Sequence, residues 1–165
     1  MTRRKALHAL ALFVICSASA VAAPITINFS SSLVTGLRGQ TVTFSASLTN
    51  TTTTAVFLNG DSLNITAPLV GDDIKFFLNA PLSVAGSTTT AVFQIFDVTI
   101  PVDAPLGVYA GSFTILGGAD PNAFDTVGEA TFAANVVPEP GVWWLTGGGM
   151  SVLWALRRRL KRPVR

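Results

Sequence analysis

Charge is segregated along this chain, with nine of its eleven basic residues in the first five and the last nine positions. Arg3, Arg4 and Lys5 open it, and Arg157, Arg158, Arg159, Lys161, Arg162 and Arg165 close it. Between residues 23 and 137 only Arg38 and Lys75 are basic, against Asp61, Asp72, Asp73, Asp97, Asp103, Asp120, Asp125 and Glu129. Two bases against eight acids leave this middle near −6, although the whole chain is formally +2. An acidic middle repels a phosphate backbone, whose binding needs clustered Lys or Arg to release counterions, so no nucleic-acid partner is expected. Only 12% of the residues are charged, about half the usual share of a soluble domain. The missing charge reflects apolar runs beside the two basic ends. The 165 residues give room for one domain with short appendages, since a single core forms from about 100 to 200 residues.

At the first end, the three bases precede a mostly apolar run from Ala6 to Ala18, too short to span a bilayer comfortably. Small residues follow, and Ala20-Val21-Ala22 meets the small-x-small requirement of a signal peptidase. The expectation is a cleaved signal peptide over 1–22 with Ala23 as the new N-terminus, an uncleaved anchor being the rival. A lipoprotein reading is weaker, because Ile15 stands where a small residue should precede Cys16. Cys16 and His8, the sole cysteine and histidine, lie inside this leader. The remaining chain therefore has no side chain for a disulfide, a thiolate nucleophile, an imidazole base or a Cys/His zinc site.

At the other end, Val137-Pro138-Glu139-Pro140 is followed by sixteen uncharged residues, Gly141 to Leu156, and then by the arginine cluster. As a helix rising about 1.5 Å per residue, that segment reaches roughly 24 Å. Trp143, Trp144 and snorkelling arginines help it to match a hydrocarbon layer of about 30 Å. Arg157, Arg158, Arg159, Lys161 and Arg162 form a membrane-stop cluster that holds the C-terminus in the cytoplasm and leaves the preceding domain outside, in agreement with the leader. Pro138 and Pro140 fix two backbone angles and remove two amide donors, keeping the stretch extended and open to a processing enzyme. Gly147-Gly148-Gly149 with Ser151 offers a small-residue face for a second helix.

The order of these three parts in the last 28 residues, 138–165, with Val137 to Pro140 at the junction, resembles the PEP-CTERM sorting signal of Gram-negative bacteria. That tail is also known as the ice-binding protein C-terminal domain, a label that carries no implication of ice binding. The resemblance implies an exosortase-type processing enzyme as partner, cleavage near the motif, and release or attachment at the surface of exopolysaccharide-producing cells. An ordinary single-pass anchor is the plainer alternative.

Between the ends, residues 23–137 show short runs of β-branched and aromatic residues separated by Gly, Asn, Asp and Pro, with no long helical period. Gln40 to Leu48 alternates, with Val42, Phe44, Ala46 and Leu48 on one face and Thr41, Thr43, Ser45 and Ser47 on the other. Further strands are predicted at Ile25–Ser30, Ala55–Leu58, Ser62–Thr66, Ile74–Asn79, Thr90–Ile100, Val108–Leu116 and Gly128–Val136. Seven or eight strands suit an all-β, antiparallel β-sandwich. Gly39-Gln40-Thr41-Val42, Leu48-Thr49-Asn50 and the Pro-rich corner Ile100 to Tyr109 resemble the Ig-like domains of bacterial surface proteins. In that resemblance the corner turns the chain between two core strands and Tyr109 enters the second.

Catalytic chemistry has little to build on. Asp125-Thr126-Val127-Gly128 lacks the Asp-Thr-Gly of an aspartic protease and reads as a turn leading into a strand. Asp72-Asp73 lacks a regular calcium-ligand spacing and reads as a solvated loop pair. Every Trp lies in the tail, which removes the usual sugar platform from the middle. Asn28-Phe29-Ser30, Asn50-Thr51-Thr52 and Asn64-Ile65-Thr66 match the glycosylation triplet, although Thr and Ser are also ordinary strand residues. The expectation is a non-enzymatic protein with no catalytic residues, metal or cofactor. It is exported, anchored in the inner membrane before processing, then placed at the cell surface or in the extracellular matrix. Two alternatives are an adhesion module whose partner is exopolysaccharide and a hydrolase working through carboxylates.

Overall fold

The computed structural model describes residues 23–139. The leader 1–22, Pro140, the expected spanning helix 141–156 and the arginine cluster lie outside the described residues. Among the described residues no helix is long and apolar enough to cross a membrane.

The elements in chain order are β1 (Ile25–Phe29), β2 (Leu33–Leu37), β3 (Thr41–Asn50), β4 (Val56–Ile65), β5 (Val70–Asp72), the short helix α1 (Ile74–Asn79), β6 (Ser83–Val84), β7 (Phe93–Thr99), β8 (Gly107–Gly118) and β9 (Asp125–Val137). They form a four-stranded sheet of order β1-β3-β7-β5 and a five-stranded sheet of order β2-β9-β8-β4-β6. The first order matches strands A, B, E and D of an immunoglobulin-type sandwich, and β9-β8-β4 matches G, F and C. The expected all-β, two-sheet architecture is thus present, with nine strands rather than seven or eight.

Alternation explains the layers. Val42, Phe44, Ala46 and Leu48 of β3 face inward as their spacing predicts, and Asn50 continues the same buried face. From the opposite sheet come Phe113 and Ile115 of β8 and Phe132, Ala134 and Val136 of β9, all buried. The Phe96 ring stacks on Phe44 at 4.8 Å and meets Phe132 at 4.6 Å and Phe113 at 5.1 Å. Both sheets therefore share one aromatic core, whose offset and tilted contacts suit the ring quadrupoles.

Several strand expectations need correction. Ile74–Asn79 is helix α1, not a strand. Asp72 Oδ1 accepts the Ile74 amide at 3.1 Å, starting a turn, and the Ala80 amide closes onto Phe76 O at 2.8 Å just before Pro81. A strand would split Ile74, Phe76 and Leu78 from Lys75 and Phe77. The helix instead buries Phe76 alone, 5.6 Å from the Phe113 ring. Ala55–Leu58 and Ser62–Thr66 are parts of a single strand, β4. Asn59 and Gly60, which fall between those two predicted strands, form a β-bulge, because Leu58 pairs with Gly117 and Gly60 with the adjacent Leu116. β2, β5 and β6 were not anticipated, and β2 runs parallel to β9, from Leu33 opposite Ala133 to Leu37 opposite Val137.

The Pro-rich corner turns the chain between the core strands β7 and β8, as expected, and these two strands belong to opposite sheets. The Tyr109 hydroxyl donates back to Pro105 O at 2.8 Å, and the Arg38 Nε–H donates to Ala104 O at 2.7 Å.

Candidate functional site

Of the residues singled out for sorting, Val137, Pro138 and Glu139 are described and lie at one end of the sandwich. Val137 ends β9 and pairs with Leu37, and Pro138 and Glu139 continue beyond it, both exposed. Proline at 138 has no amide to offer the sheet, so pairing stops where the motif begins. Pro140, Arg157, Arg158, Arg159, Lys161, Arg162, Ala20 and Ala22 lie outside the described residues. Ala23 is described and exposed.

The groups considered for chemistry are dispersed or already engaged. Lys75 Nζ pairs with Asp97 Oδ1 at 2.8 Å and also donates to Thr43 Oγ1 at 3.1 Å. Asp125-Thr126 opens β9, and Val127 is the extra residue of a second bulge, since Ile115 pairs with Gly128 and Leu116 with Thr126. Asn50 is 1% exposed. Its amide donates to Thr54 O and Val84 O, and its carbonyl accepts from the Thr52 amide and hydroxyl. Asn50 therefore staples the 51–54 loop to β6 in the folded domain and leaves no free amide for a glycan. Asn28 and Asn64 are exposed.

A groove that the sequence reading missed opens at the end of the sandwich opposite Val137. It has a volume of about 310 Å³, with Leu58, Gly60 and Phe76 at its base, Phe77 and Leu82 on one side, and Pro121 and Phe124 on the other. The β4 bulge lies opposite Leu116 and Gly117 and the β9 bulge opposite Ile115 and Leu116, so both adjoin Leu116 beside this groove. Bulges commonly re-aim side chains at such places. Here the bulged Asn59 donates its amide to Asp120 O at 3.0 Å and to Ala123 O at 2.8 Å, fastening the 119–124 loop. The Phe124 ring lies over Gly60, where a Cβ would meet it at an ordinary contact distance of 3.5 Å.

The bulge also turns Asp61 inward. Both its carboxylate oxygens are shielded from water and have no hydrogen-bond partner. Burial first, and the neighbouring charge of Asp73 second, push its pKa up to about 7. Desolvation penalises the ionised form and a like charge adds to the penalty. Among the described residues no group of three or more His, Cys, Asp or Glu could hold a metal ion.

A two-sheet, Ig-like sandwich with an aromatic-rimmed groove at one end defines the class of domain. No family model matches the chain, and no curated protein matches it. Several solved structures align with it. The α2-macroglobulin of Salmonella aligns over 72% of this chain and 7% of its own, at 19% identity and a TM-score of 0.50. The portion of Escherichia coli α2-macroglobulin from domain MG7 to the C-terminus aligns over 70% of this chain and 17% of its own, at 22% identity and a TM-score of 0.47. The seventh ScaB type I cohesin of Pseudobacteroides cellulosolvens aligns over 72% and 95% of the two chains, at 13% identity and a TM-score of 0.36. The chain thus spans less than a fifth of either macroglobulin structure.

Proposed function

We propose that this chain is an exported envelope or extracellular-matrix protein. Its sandwich is non-catalytic, and its tail serves as a sorting signal read by an exosortase-type enzyme. The carrying observation is the junction at Val137: the last strand ends there, and Pro138 and Glu139 stand exposed directly beyond it. A processing enzyme at the membrane can reach such an extended segment without unfolding the sheet. The resident bases of the domain fit a non-catalytic reading, since Lys75 is held by Asp97 and Arg38 by the corner carbonyl of Ala104. In this reading, signal peptidase removes 1–22, the segment 141–156 holds the protein in the inner membrane, and cleavage near Pro140 passes the sandwich to the surface or matrix.

Replacing Pro138 and Glu139 together by Ala tests the sorting step. Export should continue while the tail stays attached, giving a full-length membrane-bound form by mass spectrometry in the native host. Trimming near Pro140 in that variant, at the rate of the unaltered protein, would show that the motif is not what is read.

A further inference from the structure

We propose that the groove between α1 and the 119–124 loop docks a cationic polypeptide segment through one aromatic or long aliphatic anchor side chain. The proposal does not depend on how the tail is processed.

Three observations carry it. The rim leaves large apolar side chains in water, with Phe77 60%, Phe124 64% and Leu82 85% exposed. Grouped apolar exposure of this kind around a concavity marks an interaction site, whereas single exposed residues do not. The volume of about 310 Å³ stands at the lower limit of binding pockets, about 300 to 1,000 Å³, which suits one anchor side chain.

Charge selects the partner. Asp120 adjoins Pro121 and Asp125 adjoins Phe124 on the rim, and both carboxylates are exposed. Asp73 stands at the start of α1, the helix that bounds the groove. The two bases of the described residues are engaged elsewhere, Lys75 with Asp97 and Arg38 at the opposite end with Ala104 O. An apolar site flanked by carboxylates that no base pairs attracts a positively charged segment and repels anionic ones.

Position and self-repulsion disfavour the other occupants. β9 runs from Asp125 beside the groove to Val137. At about 3.3 Å per residue, the groove lies roughly 40 Å from the point where the tail departs, well away from a membrane that holds the tail. A second copy would bring the same carboxylates face to face with these.

The test uses the full-length chain in zwitterionic-lipid nanodiscs, with empty discs as the blank, and fluorescein-labelled peptides read by anisotropy. Lys-Lys-Trp-Leu-Lys-Lys should bind saturably, and Glu-Glu-Trp-Leu-Glu-Glu and Lys-Lys-Ala-Ala-Lys-Lys should bind at least tenfold more weakly. Phe124→Ser, Phe77→Ser and Leu82→Ser should each weaken the first peptide about tenfold while leaving the thermal midpoint near that of the parent, since all three side chains face water. Asp120→Asn with Asp125→Asn should weaken it severalfold and flatten its salt dependence. The proposal is overturned by equal binding of the acidic peptide, or by binding unchanged in the Phe and Leu variants. It is also overturned if exopolysaccharide or a second copy of the chain occupies the groove instead, seen as glycan capture or dimerisation abolished by Phe124→Ser.

Discussion

Asp61 is the residue at which this domain departs furthest from ordinary packing. A carboxylate turned inward beside Asp73, with no donor to receive it, favours the protonated form in the folded state only. Its folded pKa of about 7 lies above the usual 3.8, so the folded chain binds the extra proton. The resulting stabilisation is fully present below about pH 4 and is lost as pH rises through about 7. Asp61→Asn should therefore leave the thermal midpoint nearly unchanged at pH 4 and raise it at pH 8. The expected gain at pH 8 is about 1 to 2 kcal/mol, the full shift being discounted because the residue is only partly buried. Urea denaturation across pH 4 to 8 measures it, and a gain of the same size at both extremes would rule out titration of this group as the cause.

At the scale of elements, the Pro-rich corner shows what sequence can carry. Ile100 to Tyr109 holds prolines at 101 and 105, and the resemblance of this segment to Ig-like domains implies both a turn between two core strands and the entry of Tyr109 into the second. That the turn also changes sheets is seen only in the fold. Tyr109→Phe removes the hydroxyl bond to Pro105 O and should cost about 0.5 to 1.5 kcal/mol, with faster amide exchange confined to the 101–109 corner. β3 was equally legible, since its period of two holds over ten residues. α1 was not. Ile74 to Asn79 is apolar enough for a strand, and only the Asx turn from Asp72 together with the single pocket for Phe76 decides for helix. The β4 bulge hid for a similar reason. Asn59-Gly60-Asp61 has turn composition, and its role emerges only when Asn59 meets the carbonyls of Asp120 and Ala123, more than sixty residues away. The groove depends on both features, so no local pattern could announce it. The adjacent Phe76 and Phe77, with the lone Phe124 in a polar loop, were its only trace.

For the molecule as a whole, stability rests on a core shared between the two sheets more than on either sheet alone. Phe96 meets Phe44 from its own sheet, Phe113 and Phe132 from the other, and Phe29 from β1. Phe96→Ala should cost about 3 to 5 kcal/mol, a large part of the roughly 5 to 15 kcal/mol of a typical domain. Denaturation should stay a single transition reported alike by near-UV and far-UV circular dichroism. If one sheet survived the other, the two signals would separate and the shared core would not be what unites them.

The parallel pairing of β2 with β9 also determines how the sandwich meets traction. Hydrogen bonds from Leu33–Ala133 to Leu37–Val137 lie side by side along the two strands. A pull on Val137 along β9, opposed by a pull on β1 from the far end, slides β2 and β9 lengthwise past one another. The whole ladder is then loaded in shear and has to rupture together, instead of unzipping one rung at a time. Under the proposed anchoring, in which the last strand is the tether, the domain would resist best a drag directed along that strand.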